Sequence, residues 1–263
     1  MSFGLSLPRI WRDSPSNQDG NRPVSYRRKR ASESTDERSI AKQVFHTCGM
    51  AKKGRARDVA RGRGTAEVWI DHAVVEPSDL DWLAQVRRLT LWAVDLPEGL
   101  LGTLANLEWL DVRGGSGASA DFVVGCDRLR YLQINQVRGL SDASAIADLV
   151  TLELLSLYGL TKVMALPSLA RLHALARLEL GSLKSLTSLA PALDAPTLAE
   201  LCLIRAVSMD ADDPRRISNA SQIKAFSWFA EDVPDRVWEP VVRVVNKPAA
   251  RAVSPSEWFA NRE

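Results

Sequence analysis

The sequence predicts an α/β solenoid: a right-handed stack of about seven or eight strand-and-return units. A parallel sheet lines the concave side, and short helices or turns line the convex side. The first observation is a recurring nine-residue pattern. It begins at Thr65, Val86, Leu107, Leu129, Leu152, Leu175, Leu198 and Ile223, at steps of 21, 21, 22, 23, 23, 23 and 25 residues. The second is what the pattern keeps. Positions 1, 4 and 6 of the eight copies are apolar everywhere except Thr65, in a chain that is 46% hydrophobic overall. The third is the alternation around position 5, which has the period of a strand. Strands repeated at one short interval stack in parallel, and the core then forms between neighbouring units and not within one.

The cleanest copies are LEWLDV at 107–112, LRYLQI at 129–134, LELLSL at 152–157, LARLEL at 175–180 and LAELCL at 198–203. They resemble the leucine-rich repeat family, whose signature is L-x-x-L-x-L at intervals of roughly 20–29 residues. The resemblance covers residues 65–229 and implies the solenoid fold. One departure stands out. The family's ninth position is often Asn or Cys, whereas here it is Val94, Gly115, Val137, Leu160, Leu183 and Ala206. The likeness is therefore to atypical, bacterial-type members without an asparagine ladder, whose turns are filled by aliphatic side chains.

Taken in order, residues 1–64 form a basic head. They hold 15 Lys+Arg and 6 Asp+Glu, a balance of +9, against 19 and 26 in the remainder, a balance of −7. Rich in Ser, Arg, Gly and Pro and without apolar periodicity, the head is expected to be disordered. Its basic clusters are YRRKR at 26–30 and KKGRARDVARGR at 52–63. They fit a solvated tail, a nucleic-acid arm confined to residues 26–63, or a nuclear address. Met50, followed by AKKGRARD, is a plausible true start of translation. Residues 65–230 are the solenoid. SDLDWLAQV at 78–86 reads as an amphipathic return helix in the first unit. Ser141 is placed to cap a return helix over SDASAIADL, and Pro167 to open one over PSLARLHAL; the return around 193–196 is irregular. Phe226 and Trp228 replace leucine in the last copy and suit the open end of the core. Residues 231–263 are expected to form a C-terminal cap and a loose tail.

Side chains alternate across a strand, so positions 3, 5 and 7 should face out on the concave sheet. The candidate partner-binding residues are Arg88, Trp92, Trp109, Asp111, Arg113, Tyr131, Gln133, Asn135 and Tyr158. Trp and Tyr dominate interface energetics, and equal register places Arg88 beside Trp109 and Trp92 beside Arg113. The same aromatics also suit sheet stabilisation through cross-strand pairs. Strand spacing gives each outward site about 33 Å², and the full face about 800 Å², the size of one side of a standard protein–protein interface.

Chemistry is sparse. The histidines, His46, His72 and His173, and the cysteines, Cys48, Cys126 and Cys202, show no metal-ligand spacing. Cys202 is expected as an outward thiol without thiolate character. MDADDPRR at 209–216 lacks the calcium-loop ladder. No phosphate-binding glycine loop occurs, no cofactor is implied, and no run reaches membrane-span length. Three cysteines, an odd number, suggest a reducing compartment. The expectation is a monomeric, non-enzymatic, cytoplasmic protein-binding module. The alternatives are an exported bacterial effector with a disordered delivery head, motivated by the resemblance, and nucleic-acid binding through the head.

Overall fold

A computed structural model describes residues 53–262. YRRKR, Cys48 and the Met50 start lie outside the described residues.

Eight strands form one parallel sheet in sequence order. They are β1 (Glu67–Asp71), β2 (Arg88–Trp92), β3 (Trp109–Arg113), β4 (Tyr131–Asn135), β5 (Leu154–Tyr158), β6 (Arg177–Gly181), β7 (Glu200–Ile204) and β8 (Ala225–Phe229). Each spans positions 3 to 7 of its copy. Neighbours pair without slippage, from Arg88 opposite Trp109 to Phe229 opposite Ile204. Positions 4 and 6 point inward and form one apolar core from Val68 to Trp228. A one-residue slip would turn that whole set to the other face, so burial fixes the register.

The first return keeps the expected helix as one short turn, Leu80–Leu83, and Ala190–Leu193 forms another just before the irregular stretch, but the two returns after β4 and β5 differ from the expected helices. Between β4 and β5 there is a 3-10 turn, Ser144–Asp148, and the stretch after Pro167 contains no helix. The reason is a period of three. Val137, Leu140, Ala143, Ile146, Leu149 and Leu152 are buried, as are Leu160, Val163, Leu166, Leu169, Leu172 and Leu175. Residues at i and i+3 eclipse in 3-10 geometry, so a period of three keeps one row inward there, whereas an α-helix would rotate it away. Ser141 does not cap. Asp142 Oδ1 instead accepts from the Ser144 N–H at 2.8 Å.

In the turns that lack asparagine, backbone groups carry the hydrogen bonds from one copy to the next. Position 8 is left-handed in seven copies: His72, Ala93, Gly114, Gln136, Gly159, Ser182 and Arg205, with φ between 47° and 69°. Each position-8 N–H extends the strand ladder by one bond to the position-7 carbonyl of the next copy, and the left-handed φ turns the chain away from the sheet just after it. Ala93 donates to Arg113 O at 2.7 Å, Gln136 to Tyr158 O at 2.8 Å and Ser182 to Ile204 O at 3.0 Å. Ninth-position Val137, Leu160 and Leu183 are then free to enter the core.

Both ends are closed. Residues 53–64 are ordered, contrary to the expected disorder. Gly54–Arg55 pairs with Ala73–Val74, Ala56–Val59 forms one helical turn, and Ala56 is fully buried. Arg61 exchanges two backbone bonds with Trp69 and covers the edge strand. The anchor is Asp79, fully buried, which accepts from Arg57 Nε at 3.2 Å, Trp82 Nε1 at 2.9 Å and the Glu76 N–H at 2.9 Å. At the other end Phe226 and Trp228 fill the core, and Trp228 Nε1 donates to Arg205 O at 2.7 Å. Helix α1 (Asp213–Asn219) joins β7 to β8, and α2 (Asp235–Val245) follows β8, with Val245 buried against the core.

Candidate functional site

The sheet's concave face carries positions 3, 5 and 7 in three rows, and its two halves differ. On β1 to β3 the face is partly open. Arg88 is exposed, and Trp69, Trp92, Trp109 and Arg113 are half-buried. Parallel register sets these contacts directly. The Arg88 guanidinium lies 5.0 Å from the Trp109 ring centre, and the Trp69 and Trp92 rings are 6.3 Å apart. Arg113 reaches past Trp92 to lie 5.3 Å from the Trp69 ring, two strands away. Arg113 also forms an ion pair with Asp111, its Nε donating to Oδ1 at 3.1 Å and to Oδ2 at 3.0 Å and its Nη2 to Oδ2 at 2.6 Å. Burial pushes the Asp111 carboxyl above its ordinary value despite Arg113.

From β4 onward the face is covered. Tyr131, Gln133, Asn135 and Tyr158, expected on the surface, are buried along with Asp111. The Tyr131 hydroxyl donates to Gln133 Oε1 at 2.5 Å, and burial lifts its pKa well above the phenol range. Its ring sits 4.0 Å from that of Trp109.

Part of the cover is the chain's own C-terminus. The expected loose tail packs against the sheet. After α2 the chain turns at Asn246, φ 47°, and runs back along the position-3 edge. The Phe226 N–H donates to Pro248 O at 2.9 Å, Ser227 Oγ to Ala250 O at 2.9 Å and Arg177 Nη2 to Arg251 O at 3.1 Å. A short helix, α3 (Pro255–Ala260), is capped by Ser254, whose Oγ accepts from the Glu257 N–H at 3.2 Å. It seats Trp258 and Phe259 in a small apolar cluster with Val253, Tyr131, Leu154 and Ala176. Trp258 Nε1 donates to Glu200 Oε2 at 3.3 Å, and Phe259 meets Trp109 at 5.6 Å. Two signals in the sequence pointed to this: the apolar Leu154 at an outward position, and the Ser-Pro-x-Glu start that caps Trp258-Phe259.

The fold is the α/β solenoid that the sequence predicts, eight strand-and-return units around one parallel sheet. No family model matches the chain, and no curated protein matches it. Among solved structures it is similar to an internalin from Listeria monocytogenes, at 16% identity and a TM-score of 0.29, covering 70% of this chain and 73% of that one.

Cys202 shares the concave face but is fully buried, not an outward thiol. Burial, with Glu179 and Glu200 adding to it against Arg177, pushes its pKa up to about 12. Cys126 is raised to about 11, mainly by burial. Both thiols are thus poor nucleophiles near neutrality. Among the described residues no group of three or more His, Cys, Asp or Glu is placed to hold a metal ion, and no helix is long and apolar enough to cross a membrane. In the second basic cluster Lys53 pairs with Asp95, Arg55 with Asp58 and Arg57 with Asp79.

Proposed function

We propose that this protein is a non-enzymatic interaction module that recognises a protein partner through the open part of its concave face, over β1 to β3. The observation that carries the reading is the cluster of Trp69, Arg88, Trp92, Trp109 and Arg113, partly exposed on a rigid sheet. Aromatic rings next to arginines combine apolar area with directional charge, the composition that most often anchors interfaces. Fixed strand positions lower the ordering cost of binding, because the rings already hold one another. Asp111, held by Arg113, sets the charge pattern at the border of the covered half.

An exported role rests on residues largely outside those described and has no separate support. Nucleic-acid binding loses part of its basis, because Lys53, Arg55 and Arg57 already serve ion pairs at the N-terminal cap.

The test uses single variants Arg88→Glu and Trp92→Glu, with Met164→Glu as control on the convex side, where Met164 is 61% exposed. A partner captured from a lysate with the unchanged protein should bind both concave variants at least about tenfold more weakly, since each anchor is worth roughly 1.4 kcal/mol or more. The control should bind normally. A partner retained by both concave variants and lost by Met164→Glu would place the interface on the other face.

A further inference from the structure

The two faces of the same strands differ in chemistry. Inward positions 4 and 6 are apolar throughout. The outward positions near the C-terminal arm, residues 247–262, include Arg177, Glu179, Glu200 and Ser227, and Arg177 is only 2% exposed. A sheet face meant as permanent core has no use for them, since each buried charge is costly unless paired. Here they pair with one another, with Arg177 Nε to Glu179 Oε1 at 2.8 Å and Nη1 to Glu200 Oε2 at 2.5 Å. Such a face remains tolerable in water when uncovered.

The arm's contacts have a second regularity. Three donors on the sheet, the Phe226 N–H, Ser227 Oγ and Arg177 Nη2, meet backbone carbonyls of the arm at Pro248, Ala250 and Arg251. Carbonyls are common to every peptide. Side-chain selection is left to the cluster that takes Trp258 and Phe259. Backbone reading along an extended stretch followed by aromatic anchors is how a groove recognises a peptide. Apart from α3 the arm has no helix or strand, and it joins the body at the left-handed Asn246.

We propose that the position-3 edge of the concave sheet, from β8 back to β3, is a peptide-binding groove. The C-terminal arm fills it in cis, and the segment of a partner protein displaces it. That segment would be extended and then turn through one helical turn bearing two adjacent aromatic side chains. The groove adjoins the open patch at Trp109, so arm release would extend the recognition surface. The inference rests on the proposed function only in taking the partner to be a protein.

The test is a synthetic peptide of residues 247–262 added to a chain ending at Asn246, with binding read by fluorescence anisotropy. The truncated chain should bind it saturably, and a peptide with Trp258→Ala and Phe259→Ala at least roughly tenfold more weakly. The intact chain should bind the unchanged peptide at least roughly tenfold more weakly than the truncated chain, because the tethered arm holds the groove. A folded truncated chain that ignores the peptide would overturn the proposal. If the truncated chain does not fold, a protease site inserted after Asn246 allows cutting after folding. A cut chain that releases the arm on dilution, stays folded and rebinds the peptide supports the groove; one that unfolds on losing the arm shows a structural cover and refutes it. Dimers that exchange arms would refute a foreign segment and assign the groove to a second copy. The arm's contacts begin at Trp109 on β3 and run toward β8, whereas Arg88 and Trp92 lie on β2, so this experiment and the variants at those positions fail independently.

Discussion

Replacing Ser182 or Ala93 with glycine should stabilise this protein, although glycine usually weakens whatever element it enters. Both residues sit at position 8, with φ of 49° and 50°. A left-handed conformation costs an L-residue about 1–2 kcal/mol, because Cβ crowds the following carbonyl oxygen. Glycine removes that cost and adds about 0.5–1 kcal/mol of unfolded-state entropy to be lost on folding. The net expectation is a gain of about 0.5–1 kcal/mol for each of Ser182→Gly and Ala93→Gly. The reverse change supplies the control. Gly114→Ala places a Cβ at φ 60° and 3.3 Å from Trp92 Nε1, so it should cost about 1–2 kcal/mol. For a solenoid of this size 1 kcal/mol moves Tm by roughly 2–4 °C. The assay is urea unfolding at equilibrium, followed by far-ultraviolet circular dichroism and confirmed by calorimetry. A loss of stability in both glycine variants, with no loss in Gly114→Ala, would refute the idea that a strained backbone ladder replaces the missing asparagines.

Asp79→Ala should destabilise the N-terminal cap by about 3 kcal/mol, because it strands the bonding groups of Arg57, Trp82 and Glu76; exposure of the edge strand β1 by hydrogen exchange checks it. Burial alone would raise the Asp79 carboxyl, but the bonds from Glu76, Trp82 and Arg57 outweigh it and hold the pKa below 3.8. Ionisation therefore favours the folded cap. Its contribution is complete above the unfolded value and fades as the pH falls through the lower folded one. An acid titration of stability should show this loss in the native chain and not in Asp79→Asn. Gly181→Ala places a Cβ 2.3 Å from Tyr158 Cδ2, so the ring must move; a cost of about 1–3 kcal/mol is expected, and thermal unfolding unchanged within error would contradict it.

Leu129, Leu132 and Ile134 were legible in the sequence as core because a step of 21 to 25 residues places one apolar set on one face eight times. The same step gave the pairing of Arg88 with Trp109. What a single repeat does not contain was not legible. The partner of Arg57 lies at Asp79, so residues 53–64 read as a charged tail although they belong to the cap. The left-handed turns fall on His72, Ala93, Gln136, Ser182 and Arg205, residues with no common preference for that conformation; stacking imposes it. Trp258 and Phe259 follow no period, and their contacts with Trp109 and Tyr131 join distant parts of the chain. Tyr131 therefore read as the middle of an open surface, when it lies beneath the arm. The returns after β4 and β5 depart from helices for a different reason. Their period of three was present in Leu160, Val163, Leu166, Leu169 and Leu172, but the expectation was framed in helical turns.

On the proposed reading, the open tryptophan–arginine cluster over β1 to β3 meets the partner. Hydroxyl-radical footprinting of the free protein and of its complex with the captured partner tests it at single side chains. Oxidation of Trp69 and Trp92 should fall severalfold in the complex, while the half-buried Trp238 on α2 should be oxidised as before. Protection of Trp238 with Trp69 and Trp92 unchanged would contradict the account.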